Sequence, residues 1–245
     1  MLTMRFEKLG LKPGARVLDV GCGGGRHIRQ TRLLPGIDAI AIDVGANEVR
    51  ETARMLGELD AHPIGWGGTV PGAGRWMVMR GSVYSLPFTD DSFDCVIISE
   101  VLEHLHEDRR ALLEITRVLK PGGVLAASVP REGPEAVCWA LSQRYRNTPG
   151  GHVRIYRRKQ LRDMLVDAGY RVYASHFAHA LHSPYWWLKC AFGVDRNDIS
   201  VVQLYHRFLV WDMMRRPWLT RALETALSPF IGKSVVFYGI KCEGP

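Results

Sequence analysis

Three side chains in one short stretch can do acid–base or metal chemistry. The chain reads Ser99-Glu100-Val101-Leu102-Glu103-His104-Leu105-His106, directly after the apolar run Phe93–Ser99. If a helix starts here, Glu100, Glu103 and His104 share one face. Two carboxylates and an imidazole at one point suit a divalent cation, and they equally suit a general base. His106 falls elsewhere and reads as surface. A second constellation is Val17-Leu18-Asp19-Val20-Gly21-Cys22-Gly23-Gly24-Gly25. An apolar run that breaks into glycines and feeds a helix lets a nucleoside ligand rest against bare backbone. Gly21 and Gly23 give G-x-G, but Arg26 stands where a dinucleotide fingerprint requires its last glycine, and Asp19 is foreign to that fingerprint.

Alternating apolar and amphipathic runs indicate βαβ units and a largely parallel sheet. Strands are expected at Arg16–Val20, Ala39–Asp43, Trp76–Arg80, Phe93–Ser99, Val124–Val129, Tyr170–His176 and Ser234–Lys241. Helices are expected at Arg26–Leu33, Ala46–Leu59, Val101–Val118 and Lys159–Ala168, the last closed by Gly169. Pro63–Gly74 reads as an irregular loop, Lys120–Gly123 as a turn, and Pro130–Gly151 as a long connection with a helical centre. The strand ends must present both constellations, because ligands of open α/β sheets bind beyond the carboxyl ends of the strands.

The stretch Val17–Gly25 resembles the first motif of the class I S-adenosylmethionine-dependent methyltransferases. Ile40-Ala41-Ile42-Asp43 places an acid where that family holds both ribose hydroxyls. Arg80-Gly81-Ser82-Val83 occupies the adenine-side position, with Ser82 in place of the family's frequent acid. Leu86-Pro87-Phe88, Ser92-Phe93-Asp94 and Leu119-Lys120-Pro121-Gly122-Gly123 match the later motifs in order, over roughly half the chain. The resemblance implies an α/β, Rossmann-like seven-stranded sheet whose last strand runs antiparallel, with S-adenosyl-L-methionine as cofactor. It implies cofactor contacts from Asp19, Gly21, Gly23, Gly25, Asp43, Val44, Ser82, Val83 and Ser99. The Glu100–His104 segment is similar to the E-x-x-E-H of the ubiquinone-pathway O-methyltransferases and of the enzymes that methylate the terminal ribose of small RNAs. In the RNA enzymes a downstream histidine completes a Mg²⁺ site, and Gly150-Gly151-His152-Val153-Arg154 resembles that segment. His152 is thus implied as a further ligand beside Glu100, Glu103 and His104, for Mg²⁺ or another divalent cation. His104, Glu103 and His152 are the implied catalytic groups. Many relatives carry the same segment with no metal, so a pocket-lining role stays open beside the metal.

The expected activity is O-methylation of a small or lipidic hydroxylated acceptor. Ribose methylation of RNA and a non-catalytic cofactor-binding scaffold are the alternatives. The core is expected at residues 1–176 and 233–245, with an aromatic-rich helical insertion at 177–232. Four of the chain's seven tryptophans lie in Phe177–Lys233, where seven basic residues face four acidic ones. That composition fits a cap with its own core, a lid over an apolar acceptor, or an interfacial surface; stacking on single-stranded RNA also uses aromatics with Arg, though no RNA-binding module is visible. The five cysteines are scattered, which favours reduced thiols and a cytoplasmic setting, with peripheral membrane contact possible in principle. No secretory h-region is visible at Met1–Arg5. The net charge of +7 is compatible with nucleic acid or anionic lipid and also with solubility alone.

Overall fold

Residue alternation in the strands sorts the core into two layers. In β4 (Phe93–Ser99), Val96 and Ile98 face one side and Cys95 and Ile97 the other, all fully buried. β1 (Arg16–Val20) repeats this with Leu18 and Val20 against Val17. A strand buried on both faces belongs to the middle of a sheet covered by helices on both sides. In β2 (Asp38–Asp43) the second face carries only Ala39 and Ala41, which pack with Cys22, Ile28 and Leu56. These small residues let α1 (Arg26–Arg32) and α2 (Ala46–Ala61) lie close to the sheet.

The computed structural model describes residues 2–61 and 74–243. The irregular loop expected over Pro63–Gly74 lies, Gly74 apart, outside the described residues. β3 (Trp76–Arg80), β5 (Leu119–Pro130), β6 (Tyr170–Ala178) and β7 (Ser234–Lys241) complete a sheet of order β3-β2-β1-β4-β5-β7-β6. All pairs from β3 to β5 are parallel, and β7 runs antiparallel to both neighbours. The remaining helices are α3 (Asp108–Val118), α4 (Glu132–Leu141), α5 (Gln143–Arg146), α6 (Arg158–Asp167), α7 (His182–Phe192), α8 (Ser200–Arg215) and α9 (Trp218–Ile231). The last three fill the segment between β6 and β7.

Two expectations need correcting. Lys120–Gly123 is not a turn before a strand but a bulge within β5: Leu119 pairs with Phe93 and Val124 with Cys95, so the residues between them loop out. No helix starts at Val101. Glu100 sits at φ 59°, in the left-handed region, and turns the chain off β4. A single 3-10 turn, Leu102–His104, follows, and Leu105 is extended. Arg154 Nη2 then donates to His106 O at 2.7 Å, satisfying a carbonyl outside any helix. The helix proper begins at Asp108, whose carboxylate holds the Tyr156 hydroxyl and the Arg154 guanidinium.

Candidate active site

The glycine loop is shaped by its neighbours. Gly21, Gly23 and Gly25 have φ of 67°, 50° and 75°. A Cβ on Gly21 would lie 2.4 Å from Val101 Cγ2, and one on Gly25 would lie 2.7 Å from Met55 Cε. Gly23 and Gly24 instead face open space, the cradle against which a ligand can lie. Thr52 Oγ1 donates to Gly23 O at 2.7 Å and fixes the loop to α2.

Asp43 ends β2 beside this cradle. Its Oδ2 accepts from Gly23 N–H and its Oδ1 from Gly45 N–H, both at 2.9 Å. Each oxygen keeps a further lone pair, so the carboxylate is held in place and can still accept from two vicinal hydroxyls. Val44, 69 % exposed, stands at the rim. Ser82 uses its Oγ to accept from Tyr84 N–H at 3.2 Å, and Val83 is buried beneath it. Asp19 lies under the loop rather than in it: its Oδ2 accepts from Ile28 N–H at 3.0 Å and anchors the start of α1. Burial pushes its carboxyl up to about 7, against the lowering effect of that hydrogen bond.

At the carboxyl end of β4 the loop meets a second group. Arg26 Nη2 donates to Ser99 Oγ at 3.1 Å, Ser99 Oγ lies 2.9 Å from Ser128 Oγ, and Ser128 donates to Glu100 Oε1 at 2.8 Å. Glu100 is therefore held by β5, while Glu103, His104 and His152 converge. Glu103 is 1 % exposed, and neither of its carboxylate oxygens has a hydrogen-bond partner. Its Oε1 lies 3.8 Å from His104 Nε2 and 4.0 Å from His152 Nε2. The tautomers follow from the other ring nitrogens. His104 Nδ1 lies 3.0 Å from Gly150 O and 3.1 Å from Gly151 O, and a carbonyl only accepts, so Nδ1 carries the proton. His152 Nδ1 donates to Glu135 Oε1 at 2.6 Å. Both rings thus turn Nε2 toward the buried Glu103 carboxyl, and Glu103, His104 and His152 form one cluster. Their donor atoms lie within 4.8 Å of one another. Burial, and then the nearby Glu100, push the Glu103 carboxyl well above the ordinary carboxylate range. Burial would do the same to Glu135, but the hydrogen bond from His152 holds it below.

Glu100, Glu103, His104 and His152 line a cleft of ≈ 390 Å³ together with Arg26, His179, His182, Trp186 and Lys233. A larger hollow of ≈ 530 Å³ lies at the opposite, amino end of the strands, around Leu9–Ala15 and Lys120–Val124, and holds none of the site residues. Glu135, Arg26, Lys233 and the insertion's histidines were not read from the sequence. Glu135 comes from α4 in a connection without a motif, and only the fold brings it to His152. Glu100 and His179, at φ 59° and 66°, are both non-glycine residues in the left-handed region, and both line the cleft. Such backbone strain concentrates at functional sites.

Comparison with known proteins identifies this architecture. Residues 18–127 match the family described as a methyltransferase domain. The demethylmenaquinone methyltransferase of Renibacterium salmoninarum is 33% identical over 140 residues, 54% of this chain and 52% of that protein. The O-methyltransferase resE of Aspergillus sclerotiorum is 32% identical over 119 residues, 49% of this chain and 41% of that protein. The chain thus spans about half the length of the curated relatives it matches. The YcgJ protein of Bacillus subtilis superposes with a TM-score of 0.62 at 22% identity, covering 97% of this chain and 96% of its own. Over residues 18–127 the chain is thus similar to methyltransferase domains, and it shares its fold with the superposed structure.

Proposed function

We propose that the protein transfers a methyl group from S-adenosylmethionine to a hydroxyl of a small or lipid-linked acceptor bound in the Glu103–His104–His152 cleft. The observation that carries this reading is the buried Glu103 carboxyl, which makes no hydrogen bond and is faced by the Nε2 atoms of His104 and His152 at 3.8 and 4.0 Å. A buried polar cluster that makes no hydrogen bonds within itself favours a ligand that completes it, and an acceptor hydroxyl giving up its proton there does so.

S-adenosylmethionine, when bound, supplies a methyl group already activated on a sulfonium. The residues fit it: Gly23 and Gly24 leave space, and Asp43 has acceptor capacity for the ribose. The protein's task is then mainly alignment, which supplies roughly 7–11 kcal/mol in favourable cases. Arg26 and the Ser99–Ser128–Glu100 chain fix the cleft wall next to the cofactor loop. His104 and His152 orient the acceptor hydroxyl and take its proton at Nε2.

Glu103, His104 and His152 also fit a divalent cation as one oxygen and two nitrogen donors, with Glu135 behind His152 setting its tautomer. Such an ion would lower the pKa of a coordinated hydroxyl.

The test is incubation with isotope-labelled S-adenosylmethionine and fractionated small-molecule extracts, followed by mass spectrometry. A product labelled on oxygen, absent with Glu103→Gln, supports the reading. Label on carbon or nitrogen, or turnover undiminished in that variant, overturns it. Retention of full activity in chelator removes the cation from the mechanism.

A further inference from the structure

Helix α9 is built inside out, and α8 beside it leaves large apolar side chains exposed. On α9 the residues turned inward are Thr220, Glu224 and Ser228, and Glu224 accepts from Ala180 and Leu181 N–H at 2.8 and 3.0 Å. Those turned outward include Trp218, Leu219, Leu223 and Phe230, at 80%, 62%, 44% and 75% exposure. α8 buries Val202 and Leu209 together with Asp212, which is ion-paired to Arg221, while Leu204, Trp211 and Met214 on it are exposed. A helix packed on its own core shows the reverse arrangement. The two helices share an apolar groove of ≈ 770 Å³ lined by Leu204, Phe208, Trp211, Leu223, Leu227 and Ile231, so their exposed faces form one surface. Surfaces of this kind mark interaction sites.

Charge decides between occupants. Asp212 and Glu224 are the only acids on α8 and α9, and both are committed inward. Arg207, Arg215 and Arg216 are exposed, and no ion pair involves them among the described residues. Arg215 and Arg216 stand at the α8–α9 corner between Met214 and Trp218. Tryptophan and long apolar side chains flanked by unpaired arginines match a layer with an apolar interior and anionic headgroups. None of the described helices is long and apolar enough to cross a membrane, so contact is made from one side.

We infer that the α8–α9 face docks the protein on an anionic lipid membrane, with Trp211, Met214, Trp218, Leu219 and Phe230 entering the interface and Arg207, Arg215 and Arg216 meeting headgroups. This stands apart from the methyl-transfer reading, although α7 and α8 contribute Trp186 and Met213 to the catalytic cleft and so join the two surfaces.

The test is co-sedimentation of the full chain with vesicles of phosphatidylcholine alone and of phosphatidylcholine with one-third phosphatidylglycerol. Binding is expected to the mixed vesicles, weakening with added salt. Arg215→Glu with Arg216→Glu should weaken it by about thirtyfold or more, taking about 1 kcal/mol for each arginine at the surface. Trp218→Glu with Phe230→Glu should abolish it. These side chains are exposed, so both variants should keep the wild-type circular dichroism melt and S-adenosylmethionine affinity, and a failure of docking is thereby separated from a failure of cofactor binding. The inference is overturned if wild-type protein stays in the supernatant with mixed vesicles, or if both variants bind as well as wild type. It is also overturned if gel filtration shows a dimer that Trp218→Glu with Phe230→Glu converts to monomer, since a second copy then covers the face.

Discussion

Glu103 costs the fold stability and returns no hydrogen bond. A buried carboxylate with both oxygens unpartnered is destabilising unless ligand, proton or cation completes it. Glu103→Gln should therefore leave thermal stability unchanged or raise it, while turnover falls by about 100-fold or more, the range for disabling the acid–base cluster that Glu103 completes with His104 and His152. Scanning calorimetry beside a methyl-transfer assay checks both halves. A lowered melting point with normal turnover would make Glu103 a packing residue. Asp43 is the opposite case, satisfied by two backbone amides and still carrying free lone pairs. Asp43→Asn should weaken S-adenosylmethionine binding by about 1.5–3 kcal/mol, the usual worth of hydrogen bonds to a charged group, measurable by titration calorimetry.

The turn from β1 into α1 fits only glycine, and Val101 is one reason. Gly21→Ala meets two separate penalties: a positive φ, about 1–2 kcal/mol, and overpacking against Val101 Cγ2, about 1–3 kcal/mol. Adding Val101→Ala should relieve the second and leave the first, so chemical denaturation of the four-member cycle should show a coupling of that sign. Strands such as Phe93–Ser99 were legible because an apolar run bounded by polar residues admits few alternatives. The last strand's inversion was legible only through family resemblance. The break after β4 was not legible. Helical spacing fits Glu100–His104 well, but a positive φ at a glutamate leaves no trace in sequence, and the partner that stabilises the break, Arg154, is 48 residues from His106. Of the site, Glu103, His104 and His152 were readable from spacing and resemblance, whereas Glu135, Arg26 and Lys233 are brought in by folding alone.

Over the whole molecule, buried imidazoles set the response to acid. Burial lowers His27 to about 3 and His176 to about 4, and drives His179 well below 6.5. Each binds fewer protons folded than unfolded below 6.5, so its contribution rises with pH through that window. Asp19 runs the other way: raised from 3.8 to about 7, it binds more protons folded, and its contribution falls as pH climbs between those values. His182 is lowered by burial as well, and Glu103 is raised like Asp19, so four imidazoles stand against two carboxyls and stability should increase from pH about 4.5 to 6.5. Asp19→Asn removes one of the two opposing slopes and keeps an acceptor for Ile28 N–H, so the rise should become steeper. Denaturation midpoints across that range measure it, and a flat profile in wild type would contradict it. One feature of the sheet bears on a different timescale. Ala178 and Ser234, where the chain leaves and rejoins the core, are direct partners in the antiparallel ladder of β6 and β7. The whole α7–α9 segment therefore hangs from the mouth of a hairpin. Loop closure grows only as the logarithm of length, about 0.6 kcal/mol per doubling, so descent with modification can lengthen, trim or exchange this cassette at little expense to the sheet. Lineages sharing the cofactor half can thereby diverge in what their cassette recognises without refounding the fold.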